Sequence, residues 1–164
     1  MGIQNYEQIS QFTLDDKLLE ELLQKQTECS LVWNTKEGWP TGCIMAFVYK
    51  HDRFWLTAAE QRARIPALRR DPRCSLIISS IGTSLGPVKT ATIKGRCTLR
   101  KDEETKAWVY PAIAKAQVPF SEDMQKIFAK RLDSPNRVIL EIEPVKWITF
   151  DAMKMFMDSA EGGI

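Results

Sequence analysis

Histidine is nearly absent from this chain: His51 is alone among 164 residues. It stands in a polar Lys-His-Asp-Arg stretch, where a solvated turn residue is the ordinary outcome. A Ser–His–Asp or Cys–His machine, or a histidine metal cluster, needs more than this. Cysteine is sparse as well. Cys29, Cys43, Cys74 and Cys97 form no Cys-x-x-Cys pair, so zinc and thioredoxin-like chemistry lack sequence support. Three of the four lie inside apolar runs, where a free cysteine behaves as a small hydrophobe. They read as reduced and buried, in a cytoplasmic protein. No apolar run approaches the length of a membrane span. The polar segment from Met1 to Asp15 lacks the charged-then-apolar order of a secretory signal. Net charge is only +2, which argues for neither nucleic acid nor an anionic membrane. There is no Gly-x-Gly-x-x-Gly and no β-α-β alternation, so a dinucleotide-binding parallel sheet is not expected.

What is present is ordinary globular material, 44% hydrophobic and 27% charged. A chain of this length buries roughly 70% of its unfolded surface, enough for one core without staples. One domain is expected over residues 1–164, with its core at about 18–151. Thr13 and the leucines at 14, 18, 19, 22 and 23 predict a capped amphipathic helix to about Lys25. The period then shortens. Strands are predicted at Ser30–Trp33, Thr41–Tyr49 and Phe54–Thr57, separated by turns at Lys36–Pro40 and Lys50–Arg53. A short helix at Arg62–Arg70 ends before Asp71-Pro72. Further strands are predicted at Arg73–Ser80 and Val88–Arg100. Helices follow, one capped by Asp102 and broken or kinked at Pro111, the other capped by Ser121 and running to Leu132. Two last strands, Val138–Glu143 and Val145–Asp151, are divided by Pro144, and the final dozen residues read as frayed. About seven short strands in one domain predict a mainly antiparallel β fold with flanking helices, an α+β protein closed into a barrel.

With one histidine, an enzyme built from these residues is expected to take its hard chemistry from an organic cofactor. Two features could hold one. Arg62-Ala-Arg-Ile-Pro-Ala-Leu-Arg-Arg-Asp-Pro-Arg73 places five arginines around a short helix that directly follows a strand. Guanidinium forks and free helix N–H groups match phosphate oxygens. A solvated basic face, or less readily an RNA-binding stripe, would give the same pattern. Trp33, Trp39, Trp55, Trp108 and Trp147 could line a flat ring or simply pack.

Taken together, these pieces resemble the pyridoxamine 5′-phosphate oxidase-like superfamily, the FMN-binding split β-barrels. The resemblance runs from about Leu18 to Phe150. Its best part extends from Phe54 to Leu76: a strand ending in threonine, a basic loop, a helix ending Leu-Arg-Arg-Asp-Pro-Arg, and an apolar strand. Gly38-Trp-Pro40, Ile93-Lys-Gly-Arg96 and Val138-Ile-Leu-Glu-Ile-Glu-Pro144 support it by their order and spacing.

The resemblance implies a homodimeric FMN-dependent oxidoreductase with flavin sites at the subunit interface, acting on a small-molecule substrate. Cys43, Ile44 and Met45 would pass the isoalloxazine ring and offer backbone groups. Thr57 and Ala58 would begin the loop around the ribityl chain. Arg64 matches the family's basic phosphate ligand, with Arg62 close by. Lys89 and Thr90 match positions that reach the flavin of the other subunit, and Phe150 falls near an aromatic position against the cofactor. Two departures matter. The oxidases carry an arginine and a lysine for the phosphate where Cys43 and Val48 stand here. They also end in an Arg-x-His-type motif that this chain lacks, so pyridoxamine-phosphate oxidase activity is not expected. A deazaflavin coenzyme in the same groove, a non-catalytic flavin- or haem-binding dimer, and a dimeric interaction module with a decayed site are the other readings. Haem is disfavoured because its ligand would have to be His51.

Overall fold

Alternation of inward and outward side chains organises the structure, a computed structural model that describes residues 8–160. In the strand Glu28–Asn34 (β1), Cys29, Leu31 and Trp33 are buried while Ser30 and Val32 point outward. The same period of two runs through Pro40–Ala46 (β2), Val48–Lys50 (β3), Arg53–Ala59 (β4), Arg73–Ser79 (β5), Lys89–Arg100 (β6) and Arg137–Asp151 (β7). All pair antiparallel in one seven-stranded sheet of order β2-β1-β5-β6-β7-β4-β3. The sheet curls until β2 comes within 8 Å of β4, Cα to Cα, without pairing to it. The result is a split barrel, the α+β class expected.

Among the described residues five α-helices flank it: Asp16–Lys25 (α1), Arg64–Arg70 (α2), Glu103–Gln117 (α3), Glu122–Leu132 (α4) and Ala152–Ala160 (α5). The barrel interior is filled by Leu22 of α1, Ile65 and Leu68 of α2, and Leu31, Phe54, Leu56, Leu76, Ile93 and Leu140 from the strands. A second, smaller core lies on the other side of β4 and β7. There Trp55 and Ile139 pack against Val109, Tyr110 and Ile113 of α3 and Leu132 of α4. This second layer positions the site described below.

Several expectations need correction. The cap of α1 is Asp15, which accepts from the Leu18 amide at 2.8 Å; Thr13 lies outside the helix. The strand expected at Thr41–Tyr49 is two strands, because Phe47 turns wholly into the core and its amide donates to Thr27 O at 3.1 Å. Pro111 does not break α3. Pro111 and Ala107, whose carbonyl the missing N–H would have met, are both exposed, so water can satisfy that oxygen. Nor does Pro144 divide the last strand. It sits opposite Gly95 at a register shift that leaves Val145 unpaired, a bulge where a missing N–H costs little. Gly95 is required there: a Cβ would lie 2.6 Å from Ile142 Cγ2 and 3.0 Å from Glu143 O. The expected frayed end is helix α5, whose first turn is capped by Asp151 through the amides of Met153 (2.9 Å) and Lys154 (3.3 Å). The parts of the terminal readings that concern residues 1–7 and 161–164 lie outside the described residues.

The expectations for one turn, two helix caps and the cysteines match. The Lys50–Arg53 turn is a two-residue hairpin loop with His51 and Asp52 at φ 56° and 55°. Asp102 and Ser121 cap α3 and α4. All four cysteines are free; Cys29, Cys74 and Cys97 are buried and Cys43 is half-buried. No described helix is long and apolar enough to cross a membrane. No described cluster of three or more His, Cys, Asp or Glu side chains could hold a metal ion.

Candidate flavin site

The strand β4 sends Phe54, Leu56 and Ala58 into the barrel, so Trp55, Thr57 and Ala59 face the layer of α3 and α4. Across β7, Thr57 pairs with Ile139 and Ala59 with Arg137. Thr57 donates its hydroxyl to Val138 O at 3.0 Å, which fixes its rotamer. The loop after β4 is held tightly: the Glu60 amide donates to Asn136 O at 2.6 Å and the Arg62 amide to Ala59 O at 3.0 Å. This folds the chain back within one turn, so that Arg64 opens α2 close behind the strand end.

The polar groups here are under-used. Arg64 Nε and Arg137 Nε are buried from water and make no hydrogen bond, and the equally buried Tyr110 hydroxyl has the Thr57 hydroxyl as its hydrogen-bonding neighbour. Tyr110 is 3% exposed and lies beside Thr57, with Lys106, Asp133 and Arg137 within electrostatic reach. Burial pushes its hydroxyl above the ordinary phenol range, so it keeps its proton. Buried donors left unpaired cost about 1–3 kcal/mol each. Arg137 and Tyr110 beside Thr57, with Arg64 following at the start of α2, suit an anion with several acceptor oxygens.

The remaining arginines of the basic segment are occupied. Arg69 pairs with Glu60, which also meets Lys101 Nζ at 2.6 Å. Those two cations hold the Glu60 carboxyl below its usual range. Arg70 donates to Asn34 O at 2.7 Å. Arg73 grips Asp71 through two side-chain bonds of 2.8 and 2.7 Å. Arg62 is exposed and makes no ion pair among the described residues. The helix α2 is only seven residues long, and Ala63 caps it without a side-chain bond.

On β2 the structure separates three residues that the sequence grouped. Cys43 and Met45 turn toward the barrel interior, Met45 being 7% exposed, whereas Ile44 faces outward and is 64% exposed. What the three can share with a ligand is backbone, because β2 ends the sheet and pairs only with β1. Ala58 is 2% exposed and enclosed by the barrel core. Thr90 and Phe150 pair directly across β6 and β7 on the outward face. Lys89 does not join them: its ammonium points the other way, 4.0 Å from the buried Asp151. Of the tryptophans, Trp33, Trp55, Trp108 and Trp147 pack into the two cores, and only Trp39 stands free.

The sequence model of the pyridoxamine 5′-phosphate oxidase family matches residues 15–151. The chain belongs to this family. No curated protein matches it in a sequence search. Among solved structures it is similar to a conserved hypothetical protein of Mycobacterium tuberculosis, with a TM-score of 0.75 and 16% identity, over 88% of this chain and 89% of that one. It is also similar to an F420 reductase, with a TM-score of 0.60 and 17% identity, over 79% of this chain and 94% of the other. A third similar structure is an FAD-binding protein of Mesorhizobium loti, with a TM-score of 0.61 and 16% identity, over 84% and 93% of the two chains. At these identities the structures establish the shared fold.

Within this family frame, sequence reasoning missed Arg137 and Tyr110. The period of β7 places Arg137 on the same face as Ile139, so its direction was readable. That Tyr110 of α3 would close over that face was not, since it depends on how the second layer docks.

Proposed function

We propose that this family member is an FMN-dependent oxidoreductase acting on a small-molecule substrate, with flavin sites formed between two copies of the chain. The observation that carries the reading is the set of buried donors between Thr57, where the family resemblance expects the ribityl chain, and Arg64, where it expects the phosphate. A bound isoalloxazine ring would supply hydride transfer. The chain's own residues would position it. The free edge of β2 offers backbone N–H and C=O groups at Cys43, Ile44 and Met45. Thr57 and the loop to Arg64 approach the ribityl and phosphate end, and Arg62 adds charge from the loop. Thr90 and Phe150 form an outward apolar and hydroxyl patch for the ring held by the other copy. Nothing in the modest net charge favours nucleic acid or a membrane as partner, and four unpaired cysteines suit the cytoplasm.

The similar F420 reductase structure favours a second reading, in which a deazaflavin coenzyme takes the same groove. Absorbance of the purified protein and a fluorescence titration with FMN test the first reading. Flavin bands or saturable quenching are expected. A colourless protein that leaves FMN fluorescence unchanged overturns it, and saturable binding of a deazaflavin by that same protein selects the second.

A further inference from the structure

We propose that Arg137 and Tyr110 hold the phosphate of the bound flavin nucleotide, in place of the strand residues that the family's oxidases use. The inference rests on the flavin reading above and deepens it. Where those enzymes carry a phosphate-binding arginine and lysine, this chain has Cys43, turned to the core, and Val48, packed against the second core. A phosphate at the end of β4 therefore needs donors from elsewhere.

Arg137 opens β7 directly opposite Ala59, two residues beyond Thr57 on the same face. Its Nε is buried and unbonded, and no carboxylate pairs with it among the described residues. Tyr110 reaches the same place from α3, its buried hydroxyl beside the Thr57 hydroxyl, a neutral partner that a phosphate oxygen would outcompete. The Thr57 hydroxyl has already given its proton to Val138 O, so it cannot supply the missing donor without breaking that bond. Nearby acids do not oppose an anion strongly. Glu60 is held by Arg69 and Lys101, and Asp133 lies 3.9 Å from Lys106 Nζ. Arg64, at the start of α2, adds a second guanidinium with a buried, unbonded Nε to that of Arg137 and to the neutral Tyr110 hydroxyl. A phosphate monoester accepts from all three and relieves the cost of leaving the two guanidinium nitrogens dry and unpaired.

Riboflavin, which lacks the phosphate, isolates the contribution. Dissociation constants for FMN and riboflavin are measured by flavin fluorescence for the full-length wild type, Arg137→Gln, Arg137→Lys and Tyr110→Phe. Arg131→Gln, on the exposed side of α4, serves as the control. Thermal melts confirm that each variant is folded. The wild type is expected to prefer FMN. Arg137→Gln should weaken FMN about 10- to 150-fold, the range for one lost charge-assisted contact, with riboflavin unchanged. Tyr110→Phe should weaken FMN about 3- to 10-fold. Arg137→Lys should recover part of the loss, because it restores charge without the fork. If Arg137→Gln and Tyr110→Phe keep the wild-type ratio of the two constants, the proposal is wrong while the flavin reading stands. Should Arg137→Gln not fold, the Arg137→Lys and Tyr110→Phe ratios decide on the same terms. A wild type that binds neither flavin overturns both readings.

Discussion

Ile77 of β5 and Ile148 of β7 stand on one outward row of the sheet, each in direct register with Thr92 of β6 between them. The row continues through Ser30 of β1 to Ile44 of β2. The three isoleucines are 42%, 47% and 64% exposed. Three exposed isoleucines spaced along one row of five strands, with Ser30 and Thr92 between them, form a surface that a second copy of the chain could cover. Ile77→Glu is therefore expected to convert a dimer into a monomer of 18.8 kDa by light scattering at micromolar concentration. A wild type already at that mass, or a variant that stays dimeric, removes this face from the assembly.

Among the arginines of the basic segment, only Arg64 has a buried nitrogen without a partner, whereas Arg69 and Arg70 are engaged with Glu60 and Asn34. Arg64→Ala should weaken FMN binding by about 1.5–3 kcal/mol, one charge-assisted contact. Arg69→Ala and Arg70→Ala should leave FMN affinity within about twofold, and at these exposed sites any change in stability should be small. Equal losses for all three in a fluorescence titration would refute the assignment.

Much of this fold was legible because its elements announce themselves locally. The two-residue turn at His51-Asp52, the caps at Asp102 and Ser121, and the break at Asp71-Pro72 depend only on neighbouring residues. Misreadings arose where a distant partner decides. Pro144 looks like a strand terminus until Gly95 stands opposite it and the bulge absorbs the missing N–H. Phe47 looks like one more residue of a long strand until the core draws it in. The site followed the same division. Arg64 could be read from the basic loop, but the buried donors of Arg137 and Tyr110 arise only when β7 and α3 meet over Thr57.

Burial also sets a pH dependence. Desolvation, aided by Asp71, raises the Cys74 thiol from 9.0 to about 12, and burial pushes Cys29 and Cys97 higher still. Between pH 9 and 12 the unfolded chain loses these protons while the folded one keeps them. The unfolded state then binds fewer protons, so stability falls as pH rises; below pH 9 this contribution is constant. The slope is at most about 1.4 kcal/mol per pH unit for each thiol. Urea unfolding at pH 8 and pH 10.5 should show the decline, and Cys74→Ala should make it shallower. An unchanged slope in that variant would mean that Cys74 ionises as freely folded as unfolded. In the native protein a thiol reagent should spare Cys29, Cys74 and Cys97 until the chain is unfolded.

Cys43 offers a test of how β2 would meet the proposed cofactor. The family resemblance sets it at the position where the oxidases carry a phosphate-binding arginine, which predicts that Cys43→Arg restores a contact. The orientation of the strand argues otherwise. Cys43 and Met45 share the inward face, Cys43 packs on the barrel core, and the outward residue between them is Ile44. A guanidinium placed there must either enter the core or bend around the free edge of β2. Overpacking of this kind costs about 1–3 kcal/mol, somewhat less if the long side chain snorkels past the edge. For a chain of this size that corresponds to a fall in Tm of about 2–12 °C. FMN affinity should stay at the wild-type value if the phosphate seat is the proposed one at Arg64 and Arg137. Tighter FMN binding in a variant that melts at the wild-type temperature would show the opposite: that β2 turns residue 43 toward the phosphate, as in the oxidases.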